Sequence, residues 1–219
     1  MSEHGARPAS PPCMAADLPD DTLPESIALW RKAERARRLA AREGQTVAGR
    51  QVIAAALARH LDALLARRFG TMSGWVVSGY WPIRAEPDLR PWLTALHGAR
   101  ARVALPVVAE RAAPLQFRPW SAGAKMERGR WNILVPATAE TVLPQIALAP
   151  LVGWDDAGYR LGYGGGYFDR TLAALSPRPY CIGVGLQSSR IASIHPQPHD
   201  IGFDAVVTEA GLQWERGAG

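Results

Sequence analysis

The residues best suited to chemistry form a glycine-rich segment in the last third of the chain. It reads RLGYGGGYFDR and runs from Arg160 to Arg170. A strand-like run, QIALAPLVGW, precedes it, and a helical run starts near Tyr167. Glycines that open a helix present backbone N–H groups to a phosphate, and Arg160 can add a bidentate contact to the same anion. Asp169, in the first helical turn, would face those phosphates, an arrangement that favours a bridging Mg²⁺.

The glycine spacing leaves a purely structural loop as an open alternative. The pattern Gly-x-Gly-Gly-Gly lacks the Lys-Ser or Lys-Thr of the best-known phosphate loop. It also differs from the dinucleotide pattern, which has an acid about twenty residues further on. A carboxylate at Asp169 is equally compatible with ordinary stabilisation by the helix dipole. Spacing alone therefore does not decide between a nucleotide site and a turn.

The elements that must position this segment follow from hydrophobic periodicity. Residues 1–25 are proline-rich and aperiodic, so we expect a disordered extension, with a single domain over 26–219. Helices are predicted over 26–43, from about Ile53 to a C-terminal cap at Gly70, over 88–98, and within FDRTLAAL.

Strand-like runs predict the rest of the domain. They are WVVSGYW, ARVALPVV, LQFRPW, QIALAPLVGW, YCIGVGLQ and DAVVTE. Their alternation with helices predicts an α/β fold, a three-layer sandwich with a largely parallel, Rossmann-like central sheet.

Composition narrows the classes of function. The 219 residues carry a net charge of +5, with arginines concentrated between Arg31 and Arg42. Such a run suits either a small anionic ligand or nucleic acid, so a basic nucleic-acid-binding protein stays an alternative. The only cysteines, Cys13 and Cys181, make a disulfide framework improbable. No apolar run reaches the roughly 20 residues of a membrane span, and no secretory block opens the sequence, so we expect a cytoplasmic protein.

The glycine segment also resembles the signature of a known family. Leu-Gly-Tyr-Gly-Gly-Gly-Tyr-Phe-Asp-Arg, preceded by Asp-x-x-Gly-x-Arg, is similar to the signature of the 5-formyltetrahydrofolate cyclo-ligases. Four weaker stretches fall in the family's order: the arginine-rich first helix, SGYWPIRAEPDL at 78–89, RWNI at 130–133 and PQPHDIGFDAVVTE at 196–209. The resemblance covers about residues 26–209.

The resemblance implies an enzyme that uses ATP and Mg²⁺. The family closes the ring of 5-formyltetrahydrofolate to give 5,10-methenyltetrahydrofolate, ADP and phosphate. A monomer with a small-molecule substrate and no nucleic-acid or membrane partner is expected. A fold-related nucleotide-binding protein without folate turnover remains the alternative within the same fold.

The resemblance also implies roles for individual residues. Tyr163, Tyr167 and Arg160 would be catalytic, and Asp169 and Asp200 would bind Mg²⁺. Folate contacts would come from Glu86, Trp131, Tyr163, Gly164, Gly165, Gly166 and Tyr167. ATP contacts would come from Arg31, Lys32, Arg35, Arg160, Leu161, Gly162, Tyr163, Gly164, Gly165, Gly166, Tyr167 and Phe168.

The sequence departs from the family pattern in two places. Ile27 stands where a lysine is usual in the first helix, and Lys32 or Arg35 is expected to substitute. RWNILVP has its proline further from the isoleucine than is usual, so the loop over the folate should differ in shape. His195 and His199 have zinc-like spacing, but the prolines between them exclude the helix that would align them. We expect these histidines to orient Asp200.

Overall fold

The computed structural model describes residues 25–217. The expected N-terminal extension lies outside the described residues except for Glu25, which begins the first helix. The helices are α1 (Glu25–Glu43), α2 (Val47–Phe69), α3 (Arg90–Gly98) and α4 (Tyr167–Ala174). The strands are β1 (Val76–Ser78), β2 (Arg102–Val107), β3 (Gln116–Pro119), β4 (Met126–Arg128), β5 (Leu134–Pro136), β6 (Ile146–Pro150), β7 (Gly153–Trp154), β8 (Arg160–Leu161), β9 (Tyr180–Val184), β10 (Ala205–Thr208) and β11 (Gly211–Glu215).

Seven of these strands form the central sheet, in the order β11-β10-β9-β6-β1-β2-β3. The five inner strands are parallel, and the edge strands β3 and β11 run antiparallel to their neighbours. Along the chain, β2 and β3 are added on one side of β1, and β6, β9, β10 and β11 are then added on its other side. The order therefore reverses between β1 and β6, and a crevice forms at the carboxyl ends of strands at such a point.

Helices cover both faces of the sheet. On β6, Ile146 and Leu148 pack into the core that includes side chains of α2 and α3. The alternate residues Ala147 and Ala149 face the opposite side, where Leu172 of α4 packs. Side chains alternate between the two faces of a strand, so an apolar run on both faces requires two covering layers. The expected α/β sandwich with a largely parallel sheet is confirmed.

Helix α2 begins at Val47, before the predicted start near Ile53, and is capped at both ends. The Thr46 side chain accepts a hydrogen bond from the Gly49 N–H at 3.1 Å, which caps the helix start. Gly70 has φ +71° and its N–H donates to the Ala66 carbonyl, so the predicted C-terminal cap is confirmed.

The predicted strand QIALAPLVGW is wrong as a single strand. It divides at Pro150, because β6 belongs to the central sheet and β7 pairs antiparallel with β8 in a separate two-stranded sheet. The glycine segment continues directly from β8 of this small sheet. The sequence does not predict the β4–β5 hairpin or β11, because β4 and β5 have only three residues each and β11 mixes glycine, polar and apolar residues.

Two sequence expectations concern membrane and redox chemistry. No helix within residues 25–217 has the length and apolar character needed to cross a membrane. Cys181 is fully buried on β9, and Cys13 lies outside the described residues.

We predict that Gly183→Ala destabilises the protein. A Cβ at this position of β9 would lie 2.5 Å from a ring carbon of Phe203, which is fully buried. Overpacking of this kind costs about 1–3 kcal/mol. Urea unfolding measures the change. Gly123→Ala is the control, because its Cβ meets nothing within 4 Å, and equal stability of the two variants would contradict the prediction.

Candidate active site

A cleft of about 700 Å³ opens at the carboxyl ends of the central strands. Tyr80 and Trp81 follow β1, Val108 follows β2, and Pro150 ends β6; all four line the cleft. This is the point at which the strand order reverses, and the volume is typical of a site for a small molecule.

The glycine segment forms one wall of this cleft. Gly162–Gly166 all line it, between β8 and the first turn of α4. Gly164 (φ +98°) and Gly166 (φ +60°) adopt the left-handed backbone conformation that favours glycine. Within residues 25–217, the N–H groups of Gly164, Gly165 and Gly166 donate no hydrogen bond. The loop therefore presents N–H donors at a helix start, where an anion is stabilised.

Helix α1 supplies two arginines to the same wall. Arg31 and Arg35 are one helical turn apart and both line the cleft. Arg35 Nε donates to the Gly162 carbonyl at 3.0 Å. Lys32 is exposed and is not part of the lining, because its position in α1 turns it away from that face. The structure thus brings Arg35 to the loop and does not bring Lys32.

Arg31 is held by the segment that precedes β10. It is 3 % exposed and donates to the carbonyls of Ile194 at 3.0 Å and His195 at 2.9 Å. Its Nη2 also lies 2.6 Å from Asp200 Oδ2. The Gln197 N–H donates to that same oxygen at 2.7 Å. Asp200 therefore joins α1 to the 194–201 loop.

Arg160 makes a second arginine–carboxylate pair. Its Nη2 lies 2.7 Å from Asp169 Oδ2, and its Nη1 donates to the Ile201 carbonyl at 2.8 Å. The Ile201 N–H in turn donates to Asp169 Oδ1 at 3.0 Å. The Arg160 guanidinium also lies over the Phe203 ring, 4.7 Å from its centroid. Arg160 and Asp169 both line the cleft.

The two predicted magnesium ligands fit a Mg²⁺–phosphate site. Asp169 and Asp200 both line the cleft, although each already pairs with an arginine. No cluster of three His, Cys, Asp or Glu side chains occurs among residues 25–217. Mg²⁺ needs only one or two carboxylates when phosphate oxygens and water complete its shell, and each carboxylate keeps spare lone pairs.

The two histidines take different positions. His199 Nε2 lies 3.9 Å from Asp200 Oδ1, and His199 lines the cleft. The His195 ring packs edge-on against Trp30, with ring centroids 4.8 Å apart. They lie in an irregular loop rather than on a helix face.

Glu86 lies at the other end of the cleft, which we call the Glu86 end. This carboxylate is 5 % exposed. The Tyr163 hydroxyl donates to Glu86 Oε1 at 2.6 Å, and the Ile83 N–H donates to Oε2 at 2.9 Å. Tyr163 thus connects the glycine segment to a residue 77 positions earlier in the chain.

Arg42 stands behind this pair and was missed from the sequence. Arg42 Nη2 donates to the Tyr163 hydroxyl, Nε to the Arg84 carbonyl at 3.0 Å, and Nη1 to the Leu151 carbonyl at 3.1 Å. The signal was present, since Arg31, Arg35, Arg38 and Arg42 recur at steps of four, three and four residues.

Burial dominates the electrostatics at the Glu86 end. It raises the pKa of the Glu86 carboxyl, and the charge of Arg42 and the Tyr163 hydrogen bond oppose that rise. Burial and the negative charge of Glu86 raise the pKa of Tyr163 far above its ordinary value. The same two causes raise the pKa of Tyr80. Both tyrosines therefore stay protonated, and Tyr163 acts as a hydrogen-bond donor.

Aromatic side chains line the middle of the cleft. Tyr167 and Phe168 belong to the lining, and the Trp131 ring packs edge-on against Tyr167 with centroids 5.6 Å apart. Trp131 itself is not part of the lining, although Ile133 from the same hairpin is. Leu161 is 1 % exposed and packs in the core, so its side chain does not reach the cleft.

The arginine run of α1 is largely engaged within the protein. Arg37 and Arg38 both pair with Glu34, and Arg38 also donates to the Arg190 carbonyl. Arg31 and Arg42 are buried. The charge run that motivated the nucleic-acid alternative therefore supplies internal contacts and one wall of the cleft.

Comparison with known proteins decides the family. The family model described as "5-formyltetrahydrofolate cyclo-ligase family" matches residues 28–209. The chain belongs to this family. The 5-formyltetrahydrofolate cyclo-ligase of Mycolicibacterium smegmatis is 32 % identical over 146 residues, which are 63 % of this chain and 75 % of that protein. That of Escherichia coli K12 is 31 % identical over 137 residues, 59 % and 75 % of the two chains.

Solved structures of cyclo-ligase relatives share the fold. The 5,10-methenyltetrahydrofolate synthetase of Aquifex aeolicus superposes with a TM-score of 0.72 at 24 % identity, over 86 % of this chain and 94 % of that one. The synthetase of Mycoplasma pneumoniae gives 0.65 at 21 % identity, over 82 % and 98 %. The family expected from the sequence is confirmed, and with it an enzyme of the cyclo-ligase type.

We predict that Asp200→Asn destabilises the protein much more than Asp156→Asn. Removing the Asp200 charge breaks the buried ion pair with Arg31, and breaking a buried pair costs about 3 kcal/mol. Asp156 pairs with Arg190, and both side chains are more than half exposed, so its loss should matter little. Urea unfolding at neutral pH compares them; equal effects would show that the Arg31–Asp200 pair contributes nothing beyond an exposed pair.

Proposed function

We propose that the protein catalyses the ATP- and Mg²⁺-dependent closure of 5-formyltetrahydrofolate to 5,10-methenyltetrahydrofolate, with release of ADP and phosphate. The observation that carries this proposal is the junction made by Tyr163. Its backbone belongs to the glycine wall with unbonded N–H groups, and its hydroxyl donates to the buried Glu86. One cleft thus combines an anion-binding wall with a polar acceptor among aromatic groups. A monomeric, cytoplasmic enzyme remains the expectation.

The glycine wall is the proposed site of the ATP phosphates. The N–H groups of Gly164–Gly166 and the start of α4 suit phosphate oxygens, and Arg31, Arg35 and Arg160 line the same wall. Arg35 of α1 donates to the backbone of the loop, at the Gly162 carbonyl. We therefore assign to Arg35, rather than to Lys32, the contact expected from the lysine that Ile27 replaces.

Asp169 and Asp200 are the proposed holders of Mg²⁺. When bound, the ion would neutralise phosphate charge and orient the transferring group. The chain's own residues contribute carboxylates that line the same cleft, each kept in place by an arginine and a backbone N–H.

The folate is proposed to occupy the Glu86 end. Glu86 is a buried acceptor suited to the N–H edge of a pterin ring, and Tyr80, Trp81 and Ile83 offer a surface on which such a ring can pack. Trp131 would act through Tyr167, which its ring contacts edge-on, rather than by lining the cleft. Tyr163 and Tyr167 would then flank the reacting formyl group.

The proposed chemistry needs positioning more than a protein nucleophile. The formamide oxygen is a poor leaving group until it receives the terminal phosphoryl group of ATP. N10 then attacks the activated carbon, the phosphate departs with the former formyl oxygen, and the N10 proton is lost. Holding the two substrates in line supplies most of the acceleration in such a reaction.

We predict that enzyme, ATP, Mg²⁺ and 5-formyltetrahydrofolate together give a rising absorbance in the methenyltetrahydrofolate band. Omission of ATP or chelation of Mg²⁺ should abolish the rise, because the formyl oxygen is then not activated. A folded protein that binds ATP without any rise would favour the alternative of a nucleotide-binding protein without folate turnover.

We predict that Gly165→Val raises the KM for ATP by on the order of tenfold or more. A Cβ at Gly165 would lie 2.9 Å from ring carbons of Tyr167, so the loop or this ring must shift at the proposed phosphate wall. Initial rates at varied ATP measure the effect. Gly123→Val is the matched control, since nothing lies within 4 Å of its Cβ. An unchanged KM in a folded Gly165→Val protein would favour a purely structural role for the loop.

A further inference from the structure

Arg42 is a buried cation that lies behind the cleft rather than in it. Its side chain is 4 % exposed and does not belong to the cleft lining. Its three hydrogen bonds reach three different parts of the chain: the Arg84 carbonyl beside Glu86, the Leu151 carbonyl after β6, and the Tyr163 hydroxyl in the glycine segment. Arg42 can therefore affect a ligand in the cleft through these groups or through its charge.

The bond from Arg42 fixes the direction of the next hydrogen bond. A tyrosine hydroxyl has one proton to donate, and here its oxygen accepts from Arg42. The proton is consequently directed to Glu86 Oε1, at 2.6 Å. With the Ile83 N–H on Oε2 at 2.9 Å, both carboxylate oxygens are held in fixed positions. Each oxygen retains a lone pair for a ligand at the cleft surface.

Arg42 is also the cation whose charge acts on Glu86. The other groups that face this carboxylate are the protonated hydroxyls of Tyr163 and Tyr80. Arg84 is adjacent in sequence, but its guanidinium is about a third exposed and pairs with Glu43 at 2.7 Å. Asp88 lies on the same loop and pairs with Arg90 at 2.6 Å.

We infer that Arg42 is a positioning residue for folate recognition: it holds the Tyr163 hydroxyl against Glu86 and so maintains a buried carboxylate ready to accept an N–H group of the pterin ring. The identity of that ligand rests on the proposed function. The electrostatic role of Arg42 does not rest on it, because hydrogen bonds already join Arg42 to Tyr163 and Tyr163 to Glu86. A clamp that merely ties α1 to two loops would make the same backbone contacts but would have no specific effect on Glu86.

Kinetics of Arg42→Gln and Arg42→Lys separate these roles. With Arg42→Gln, we expect kcat/KM for 5-formyltetrahydrofolate to fall by on the order of tenfold or more, while the KM for ATP changes little. The acidic limb of the pH profile should move up by about one pH unit or more, since a lost neighbouring cation raises the pKa of Glu86. Arg42→Lys retains the positive charge, so the acidic limb of its pH profile should lie near that of the wild type.

Arg37→Gln is the matched control for these measurements. Arg37 lies on the same helix, its side chain is 65 % exposed, and its partner is Glu34 outside the cleft. Its kinetics should be those of the wild type. If Arg42→Gln weakens ATP and folate use equally and leaves the pH limb unmoved, the positioning role is overturned and only a clamp remains.

A stability cycle tests Arg42 without any turnover. Wild type, Arg42→Gln, Glu86→Gln and the double variant are unfolded thermally at pH 5 and pH 8. A carboxyl whose folded pKa is raised contributes stability at low pH that is lost as the pH rises through that pKa. Arg42→Gln should therefore lower the melting temperature more at pH 8 than at pH 5, and Glu86→Gln should remove that difference.

A negative result in the stability cycle and a negative result in the absorbance assay would overturn two different proposals. Equal drops at both pH values, with no change on adding Glu86→Gln, would overturn the role of Arg42 even in an active enzyme. A wild type without turnover would overturn the proposed reaction, while the pH-dependent coupling of Arg42 and Glu86 would still be decided by the cycle.

Discussion

Three buried arginines constrain everything around the cleft, because a guanidinium group cannot lose its charge inside a protein. Arg31, Arg42 and Arg160 are each less than a tenth exposed. Their N–H donors need acceptors, and loop carbonyls supply them. The paths of the loops that shape the cleft are thus set by where the three guanidinium groups lie. The loop carbonyls that they hold belong to Arg84, Leu151, Ile194, His195 and Ile201.

Two of these arginines also carry a carboxylate partner, and this affects how an anion would be received. Arg31 pairs with Asp200 and Arg160 with Asp169, so neither pair presents net charge to the cleft. On the proposed function, phosphate oxygens and Mg²⁺ would arrive together. The phosphate oxygens would then accept hydrogen bonds from the arginines, and Mg²⁺ would bind the carboxylate oxygens. The phosphate compensates for the positive charge of the arginines, and the cation compensates for the negative charge of the carboxylates.

Local patterns in the sequence were sufficient for most of the fold. Helical periodicity and the cap at Gly70 predicted α2, and apolar runs predicted the inner strands, because strands buried on both faces are apolar throughout. Within the site, spacing alone indicated only the glycine segment, and the resemblance to the family added distant residues such as Glu86 and Asp200. The pairing of Tyr163 with Glu86 spans 77 residues, and the contact of Arg42 with Leu151 spans 109. Propensity and spacing carry no information about such partners, and the division of one apolar run into β6 and β7 likewise depends on tertiary pairing.

The absent lysine of α1 becomes less important once the face of the helix is considered. Ile27 is half-buried one turn before Arg31, and the cationic face begins only there. From that point the face continues through Arg35, Arg38 and Arg42. Arg38 reaches the Arg190 carbonyl and Arg42 reaches the Tyr163 side chain, whereas Arg35 donates to the backbone of the glycine loop. On the proposed function, one side-chain cation fewer at the helix start would leave a larger share of phosphate recognition to the backbone N–H groups of Gly164–Gly166.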